Sequence, residues 1–590
     1  MRGQVKTSGD ALLRTATRYS AGRCVALCLL TVASAGVGLL LPYVIGRTVD
    51  ALFAAHSAGA VDSVSGDVGH WLLTAAALLG GLLLLDCCEG VLTGTTNART
   101  TAWLRGRLVR HVLATGPRAT ARFPAGDLVA RLVGSTAQAG PAPATVAALA
   151  ATLVLPVGAI VALGLTDLWL VAAFLVGAPA LALLLRTFAR ASSDCVAAYL
   201  RAQGDIATRL TEAIGGARTI AAAHTADRET TRVLEPLPRL VHQGLRLWRV
   251  QGRASAGAVA LAPLLQIAVI ATAGLLLLRH RLSVGELLAA SRYAALATGV
   301  GMLVGDIAAL VRTRAAGQRL GDVLDEPAPR HGEARPGDGG GRLELRGVTV
   351  HRDGRTVLDR VDLTVPAGET LAVVGVSGAG KSLLAALAGR LADPDDGTVL
   401  LDGTPLPELS RAELRAAIGY AFERPTLLGD TLADTIALGP DPRTTHRDRI
   451  VRAAEAAHAD GFVRRLPDGY ATACADAPLS GGEAQRLGLA RAFAHGGRLL
   501  VLDDALSSLD MITEREIAAA LLRHAPGTTR LVVAHRATTA ARASTVAWLD
   551  AGSIRALGPH ERLWRDPAYR AVFAGDGDSG GAVAGAGGAA

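Results

Sequence analysis

Six long apolar runs, near residues 24–46, 71–93, 144–164, 168–188, 256–278 and 284–310, restrict what this chain can fold into more than any other feature. A helix needs about 20 apolar residues to cross a bilayer core. Repetition of such runs through the first half predicts an all-α polytopic membrane unit of six helices. The third and fourth runs are separated only by Gly164 to Asp167, which predicts a tight helical hairpin. Arg14, Arg18 and Arg23 precede the first run, as in a signal peptide. That run is too long for one, and similar runs follow it, so a retained span is expected. With 590 residues, 50% apolar and 19% charged, the chain should hold two or three domains, one of them soluble.

Loop charge sets the expected orientation. Residues 94–143 carry Arg99, Arg105, Arg107, Arg110, Arg118, Arg122 and Arg131 against Asp127. The loop at 190–255 is also rich in arginine, whereas 47–70 carries Asp50, Asp62 and Asp67 against Arg47. Positive loops stay inside, so both termini and everything after 311 should be cytoplasmic. Arg279 and Arg281, in the last outer loop, count against this and are outvoted. The net charge of +8 is explained the same way, so no nucleic-acid partner is expected. The six cysteines show no paired metal spacing and are read as free thiols.

The second half reads as an α/β unit. Thr370 to Val374 is a buried strand, followed by Gly375-Val376-Ser377-Gly378-Ala379-Gly380-Lys381-Ser382, a phosphate-loop pattern. Leu479-Ser480-Gly481-Gly482-Glu483-Ala484-Gln485-Arg486 comes later, then the strand Leu499 to Leu502 ending in Asp503-Asp504. In this order the motifs resemble the nucleotide-binding domain of an ABC (ATP-binding cassette) transporter. Phe123 to Arg131 and Glu212 to Glu229 resemble inner-loop segments of the exporter-type membrane domain, and Ala316 to Pro327 resembles its exit from the sixth helix. The implied fold class is multidomain, an all-α polytopic membrane domain plus an α/β P-loop ATPase domain of ABC type. The expected layout is a cytoplasmic segment 1–20, membrane domain 21–325, flexible linker 326–341, nucleotide-binding domain 342–574 and disordered tail 575–590.

The resemblance implies ATP and Mg²⁺ and assigns roles. Backbone N–H groups of Gly375, Ser377, Gly378, Ala379, Gly380, Lys381, Ser382 and Leu383 would cradle phosphate at a helix start, where the helix dipole favours an anion. Lys381 would reach the β- and γ-phosphates. Ser382 and Asp503 would hold the metal, with Glu423 as a further ligand. Asp504 is the candidate base, His535 the switch histidine that contacts the γ-phosphate, and Asp510 part of the loop Ser507-Ser508-Leu509-Asp510 that crosses to a partner domain. Ser480, Gly481, Gly482 and Glu483 form a cap for ATP held by a second cassette.

Several positions depart from the family pattern. Asp504 stands where a glutamate is usual; it is one methylene short, and a misplacement near 1 Å can cost about a hundredfold in rate. Glu423 replaces a glutamine. Val350-His351-Arg352-Asp353 offers no Tyr or Phe for adenine, leaving His351 or Arg352 to stack. Thr472 to Pro478 lacks the usual wording before the signature, and Glu483 replaces the commoner Gln in a change read as tolerated.

A single cassette with a cap for another's ATP requires a second half-transporter subunit. The weakened base beside a serviceable signature favours a heterodimer over a homodimer. The resulting reading is ATP-driven export of an unidentified substrate, with an ATP-binding regulatory subunit and a siderophore-type importer as alternatives. A peptidase-bearing exporter is disfavoured, since no domain precedes the first span. Asp86, Glu89 and Asp306 lie within runs; they could line a path for a cationic cargo or sit in water at the inner ends.

Overall fold

A computed structural model describes residues 9–57, 65–298, 301–352, 354–439, 446–507, 509–524 and 527–574. Asp62, Asp353, Ser508 and the tail from 575 fall outside them. The chain divides into two compact units, Met1–Ala328 and Pro329–Ala590.

The first unit is helical. Helix α1 (Gly9–Tyr19) precedes α2 (Ala21–Ser57) and α3 (Ser65–Thr115). Two shorter helices, Ala142–Thr152 and Val154–Thr166, lead into α4 (Leu168–Gly215). Next come α5 (Leu237–Leu278), α6 (Val284–Ala297) and α7 (Gly301–Leu324). Over their described residues all six expected runs fall on helix, the third broken by a turn at Leu153 and the sixth shared between α6 and α7. Among the described residues, four helical segments are long and apolar enough to span a bilayer by themselves. Large apolar side chains on them are exposed, Leu73 to 74% and Leu165 to 84%, a surface that only lipid or another apolar partner stabilises.

The arginine-rich loops are largely helical. At 48 residues, α4 is about 72 Å long, more than twice a bilayer core. Short helices at Pro117–Arg122, Ala125–Ala130, Ala217–Ala222 and Ala226–Leu234 turn the chain back at its far ends. The hairpin at Asp167 is tight. Its carboxylate accepts the Trp169 N–H at 2.9 Å and pairs with Arg281 at 3.0 Å. Asp86 accepts from the Ser34 hydroxyl at 2.9 Å and Asp306 from Thr152 at 2.7 Å, so both are held by helix-to-helix hydrogen bonds.

The second unit carries two sheets. Strands β1 (Leu343–Arg352), β2 (Arg355–Val365), β4 (Asp396–Leu401) and β5 (Thr404–Pro405) form an antiparallel sheet in the order β2-β1-β4-β5. Strands β3 (Thr370–Val374), β6 (Ile418–Phe422), β7 (Leu499–Asp503), β8 (Thr529–Val533), β9 (Thr545–Asp550) and β10 (Ser553–Gly558) form the other, ordered β10-β9-β3-β8-β7-β6. In the second sheet every pair is parallel except β10 with β9. The near-continuous apolar runs of β3, β7 and β8 follow from burial on both faces.

The stretch 326–341, expected to be flexible, is docked from residue 329 onward. The Gly332 N–H donates to Pro407 O at 2.9 Å and the Ala334 N–H to Glu408 O at 3.0 Å. Arg390 donates to Arg330 O, and the Asp402 carboxylate accepts the N–H groups of Gly341 and Arg342. A Cβ at Gly332 would lie 2.1 Å from Glu408 O, so glycine here permits close backbone approach. Glycine and proline give a composition like that of a linker; the backbone is instead bonded to the 405–410 segment at Gly332 and Ala334, and to Arg498 and Asp402 at Gly337, Gly339 and Gly341.

Candidate nucleotide site

Parallel strands place their C-terminal ends on one edge, where open α/β sheets bind ligands. In β3, β8, β7 and β6, which are successive neighbours, those ends are followed by Gly375, Ala534-His535, Asp504 and Glu423. Register aligns Phe422 with Asp503, Leu502 with Val532, and Val373 with Val533. The phosphate-loop start, the candidate base, the switch histidine and the glutamine-position residue therefore share one crest.

The phosphate loop has its expected form. Gly378 and Gly380 adopt φ of 83° and 101°, a region that side chains disfavour. A Cβ at Gly375 would lie 2.3 Å from Leu549 O. Ala379 packs in the core, whereas Ser377 and Ser382 are exposed and Leu383 is half-buried against the core. Lys381 opens helix α8 (Lys381–Ala388) with only 6% exposure. Its ammonium donates to Gly375 O at 2.7 Å and Val376 O at 3.1 Å, inside the cradle it was expected to serve.

Asp503 tests the fit of a metal. Its Oδ2 accepts the Tyr420 hydroxyl at 3.1 Å. Its Oδ1 is buried and has no hydrogen-bond partner among the described residues. A donor-free carboxylate oxygen, with the Ser382 hydroxyl at the helix start, is the hard-oxygen set that suits Mg²⁺. Burial, together with the Asp503 charge, pushes the Tyr420 hydroxyl far above its ordinary pKa, so it stays protonated and donates.

Asp504 has φ of 54°, and its Oδ2 lies 3.6 Å from His535 Nε2. Both line a cavity of about 600 Å³ with Ser507, Glu514 and Arg536. Burial raises the Asp504 carboxyl above the usual carboxylate range, opposed by His535 and Lys381 and reinforced by Glu423 and Asp503. Glu423 itself is exposed and sits 3.5 Å from Arg424.

The signature caps helix α9 (Gly481–His495). Ser480 and Gly481 are exposed, and Gly482 is partly buried in the first turn. Ser480 and Glu483 form a reciprocal capping box. Asp510 also caps its own helix, accepting the N–H groups of Ile512 and Thr513 at 3.0 and 2.9 Å. Arg352 ends β1 opposite Arg355, donates to His351 O and lies 3.9 Å from Asp395. Two residues beyond Arg355, the Val357 carbonyl abuts Gly380, which brings this hairpin tip close to the phosphate loop.

Two residues were missed. Tyr420 holds Asp503, and Gln485, 1% exposed, donates to the carbonyls of Glu423 and Asp504. A signal for Gln485 existed: it is polar on the stripe completed by Gly488, Leu489 and Ala492, one face of α9.

The fold and this crest define an ATP-binding cassette joined in one chain to a polytopic helical membrane unit. The family models agree, with the ABC transporter transmembrane region matching residues 24–300 and the ABC transporter model residues 358–507. The ABC transporter ATP-binding protein RamA of Streptomyces coelicolor is 51% identical over 550 residues, covering 93% of this chain and 85% of that protein. An ATP-dependent lipid A-core flippase of Burkholderia orbicola is 38% identical over 261 residues, 43% of this chain and 44% of that protein. The solved structure of a bacterial Atm1-family ABC exporter with ATP bound shares the fold, with a TM-score of 0.82 at 24% identity over 95% of this chain and 99% of that one. The chain belongs to the ABC transporter family and has half-transporter architecture, with an ATP-hydrolysing domain fused to a multi-pass membrane domain.

Proposed function

We propose that the chain is one half of a dimeric exporter in the bacterial inner membrane, paired with a different half-transporter subunit, with its ATPase unit and termini cytoplasmic. The observation that carries the pairing is the exposed signature. Ser480 and Gly481 present an anion-binding helix start to solvent, on a chain that has its own phosphate loop elsewhere. A second cassette bringing ATP to that cap, and lending its own cap in return, completes two composite sites.

In this reading Lys381 and the N–H groups of residues 375–383 hold the phosphates. Ser382 and Asp503, with Glu423 within reach of the same crest, would hold Mg²⁺, which when bound neutralises phosphate charge. Asp504 orients and deprotonates the attacking water, and His535 contacts the γ-phosphate. Arg352 or His351 supports the adenine. Closure on ATP favours one membrane conformation and hydrolysis releases it, because ATP binds the two states unequally.

Hydrolysis at this chain's loop should be slow. Asp504 is short and holds its proton more tightly than an ordinary aspartate, and Glu423 adds negative charge. These features support a partner with the stronger base. The test is a disulfide between cysteines placed at Ser382 and at the partner's signature serine, in a background lacking the six native thiols. Cross-linking should require ATP and should form between unlike subunits. Efficient cross-linking and full turnover by this chain alone would overturn the heterodimer, and no cross-link with any partner would overturn the pairing itself.

A further inference from the structure

Helix α9 clasps the loop after β6 at three points spaced about one turn apart. Gln485 Nε2 donates to Glu423 O at 3.3 Å, Gly488 has no room for a Cβ because Pro425 would lie 2.6 Å away, and Arg491 donates to Thr426 O at 3.2 Å. Gln485 alone of the three also reaches the base, donating to Asp504 O at 3.4 Å. Since both contacts are carbonyl oxygens, the amide must present its NH₂ to them. Asp504 needs such holding. Its φ of 54° is uncommon for a residue with a side chain, and its carbonyl also accepts the N–H and hydroxyl of Ser507 at 3.3 and 3.0 Å. Those contacts fix the peptide plane that aims the Asp504 carboxylate toward His535.

We infer that Gln485 is a positioning residue for ATP hydrolysis, tying the helix that caps the partner's nucleotide to the peptide that aims this chain's own base. It touches no nucleotide and acts through Asp504. Movement of α9, when its N-terminus meets the opposite ATP, is carried by the Gln485 amide to Asp504, so occupancy of one composite site sets the geometry of the other. The inference rests on the proposed roles of Asp504 and of the signature cap.

The test uses the full-length transporter in lipid nanodiscs, with ATP binding and single-turnover hydrolysis measured separately. Gln485→Leu removes both donors; Gln485→Asn keeps an amide that is too short to reach both carbonyls and serves if the leucine variant misfolds. Turnover should fall between about ten- and a hundredfold, as for a misplaced base, while the KM for ATP changes less than about twofold. Added to Asp504→Ala, which is slow by itself, Gln485→Asn should cost nothing further, because the group it positions is gone. Unchanged turnover in Gln485→Asn, or the same fractional loss with and without Asp504, would overturn the inference and leave the base assignment standing. Wild-type turnover by Asp504→Ala would instead overturn the base assignment and the inference with it.

Discussion

The Glu483 carboxylate accepts both the backbone N–H and the hydroxyl of Ser480 at 2.8 Å, and Ser480 Oγ accepts the Glu483 N–H at 3.3 Å. A capping box of this kind stabilises the start of α9. It also fills the proposed cap with a charge. The Ser480 bonds hold the Glu483 carboxyl below its ordinary range, so an anion stands where a phosphate would dock.

Glu483→Gln keeps the box geometry and removes that charge. A charge at a helix N-terminus contributes about 0.3–1 kcal/mol, so ATP held against this cap should bind roughly two- to fivefold tighter. Titration of ATP-dependent subunit association would measure it. Weaker association in the variant would mean that the cap never meets phosphate.

Asp504→Glu should raise turnover at this chain's own site. The added methylene restores over 1 Å of reach, and a misplacement of that size costs about a hundredfold. Steady-state ATPase at saturating ATP is the readout. A rate equal to or below wild type would show that reach is not what limits this site.

Much of the site was legible because its chemistry is local. Gly375 to Ser382 and Leu499 to Asp504 are strand-to-loop segments whose function depends on consecutive residues, so order and type suffice. What was not legible depends on distant partners. Arg390 and Asp402 hold the 329–341 segment from positions far along the chain, so composition alone suggested a flexible tether. Sequence alone does not separate Glu483 from Gln, since either accepts from Ser480; the difference is the charge that the Ser480 bonds hold in place. Gln485 gave only the faint signal of one polar residue on an apolar helical stripe. In the membrane unit, apolar length identified the runs, but nothing in the pattern of the 168–188 run shows that its helix continues to Gly215.

The raised Asp504 carboxyl gives turnover an acid limb displaced upward. The base works only when deprotonated, so the rate should rise with pH through a midpoint above the ordinary aspartate range. The sign for stability is opposite. A carboxyl whose folded pKa exceeds its unfolded value contributes fully below the unfolded pKa, and that contribution is lost as pH rises through the folded value. Asp504→Asn should therefore flatten the acid limb of what turnover remains and lessen the loss of stability over the same interval. An acid limb at the ordinary aspartate position would contradict burial as the controlling cause.

Lys381→Ala should remove ATP binding at this chain's own loop. The ammonium sits on the Gly375 and Val376 carbonyls at 2.7 and 3.1 Å, already inside the cradle. Hydrogen bonds to charged groups contribute about 1.5–3 kcal/mol each, so affinity should fall at least roughly tenfold. Equilibrium binding of a fluorescent ATP analogue measures this. Unchanged affinity at both sites of the assembled pair would refute the assignment.

Arg390 is the buckle of the docked segment. Its side chain is 3% exposed, with φ of 48°; it bonds His331 Nδ1 at 2.8 Å, Leu406 O at 3.1 Å and Arg330 O, and it pairs with Asp393 at 3.3 Å. Burial, together with the Arg390, Arg415 and Arg411 charges, keeps the His331 pKa low, so its Nδ1 accepts rather than repels. Arg390→Ala should free the 329–341 segment while leaving the phosphate loop intact. Each buried acceptor left without its donor costs about 1–3 kcal/mol, enough to lower the melting temperature of the ATPase unit by several degrees. Trypsin offers the sharper readout, because Arg330 precedes His331 in this segment, whereas Arg335 precedes Pro336 and is not cut. Cleavage there should be slow in the wild type and many times faster in the variant, with ATP binding retained. Equal cleavage rates would mean that the segment opens freely without this arginine's release, and that the contacts around Arg390 do not restrain it.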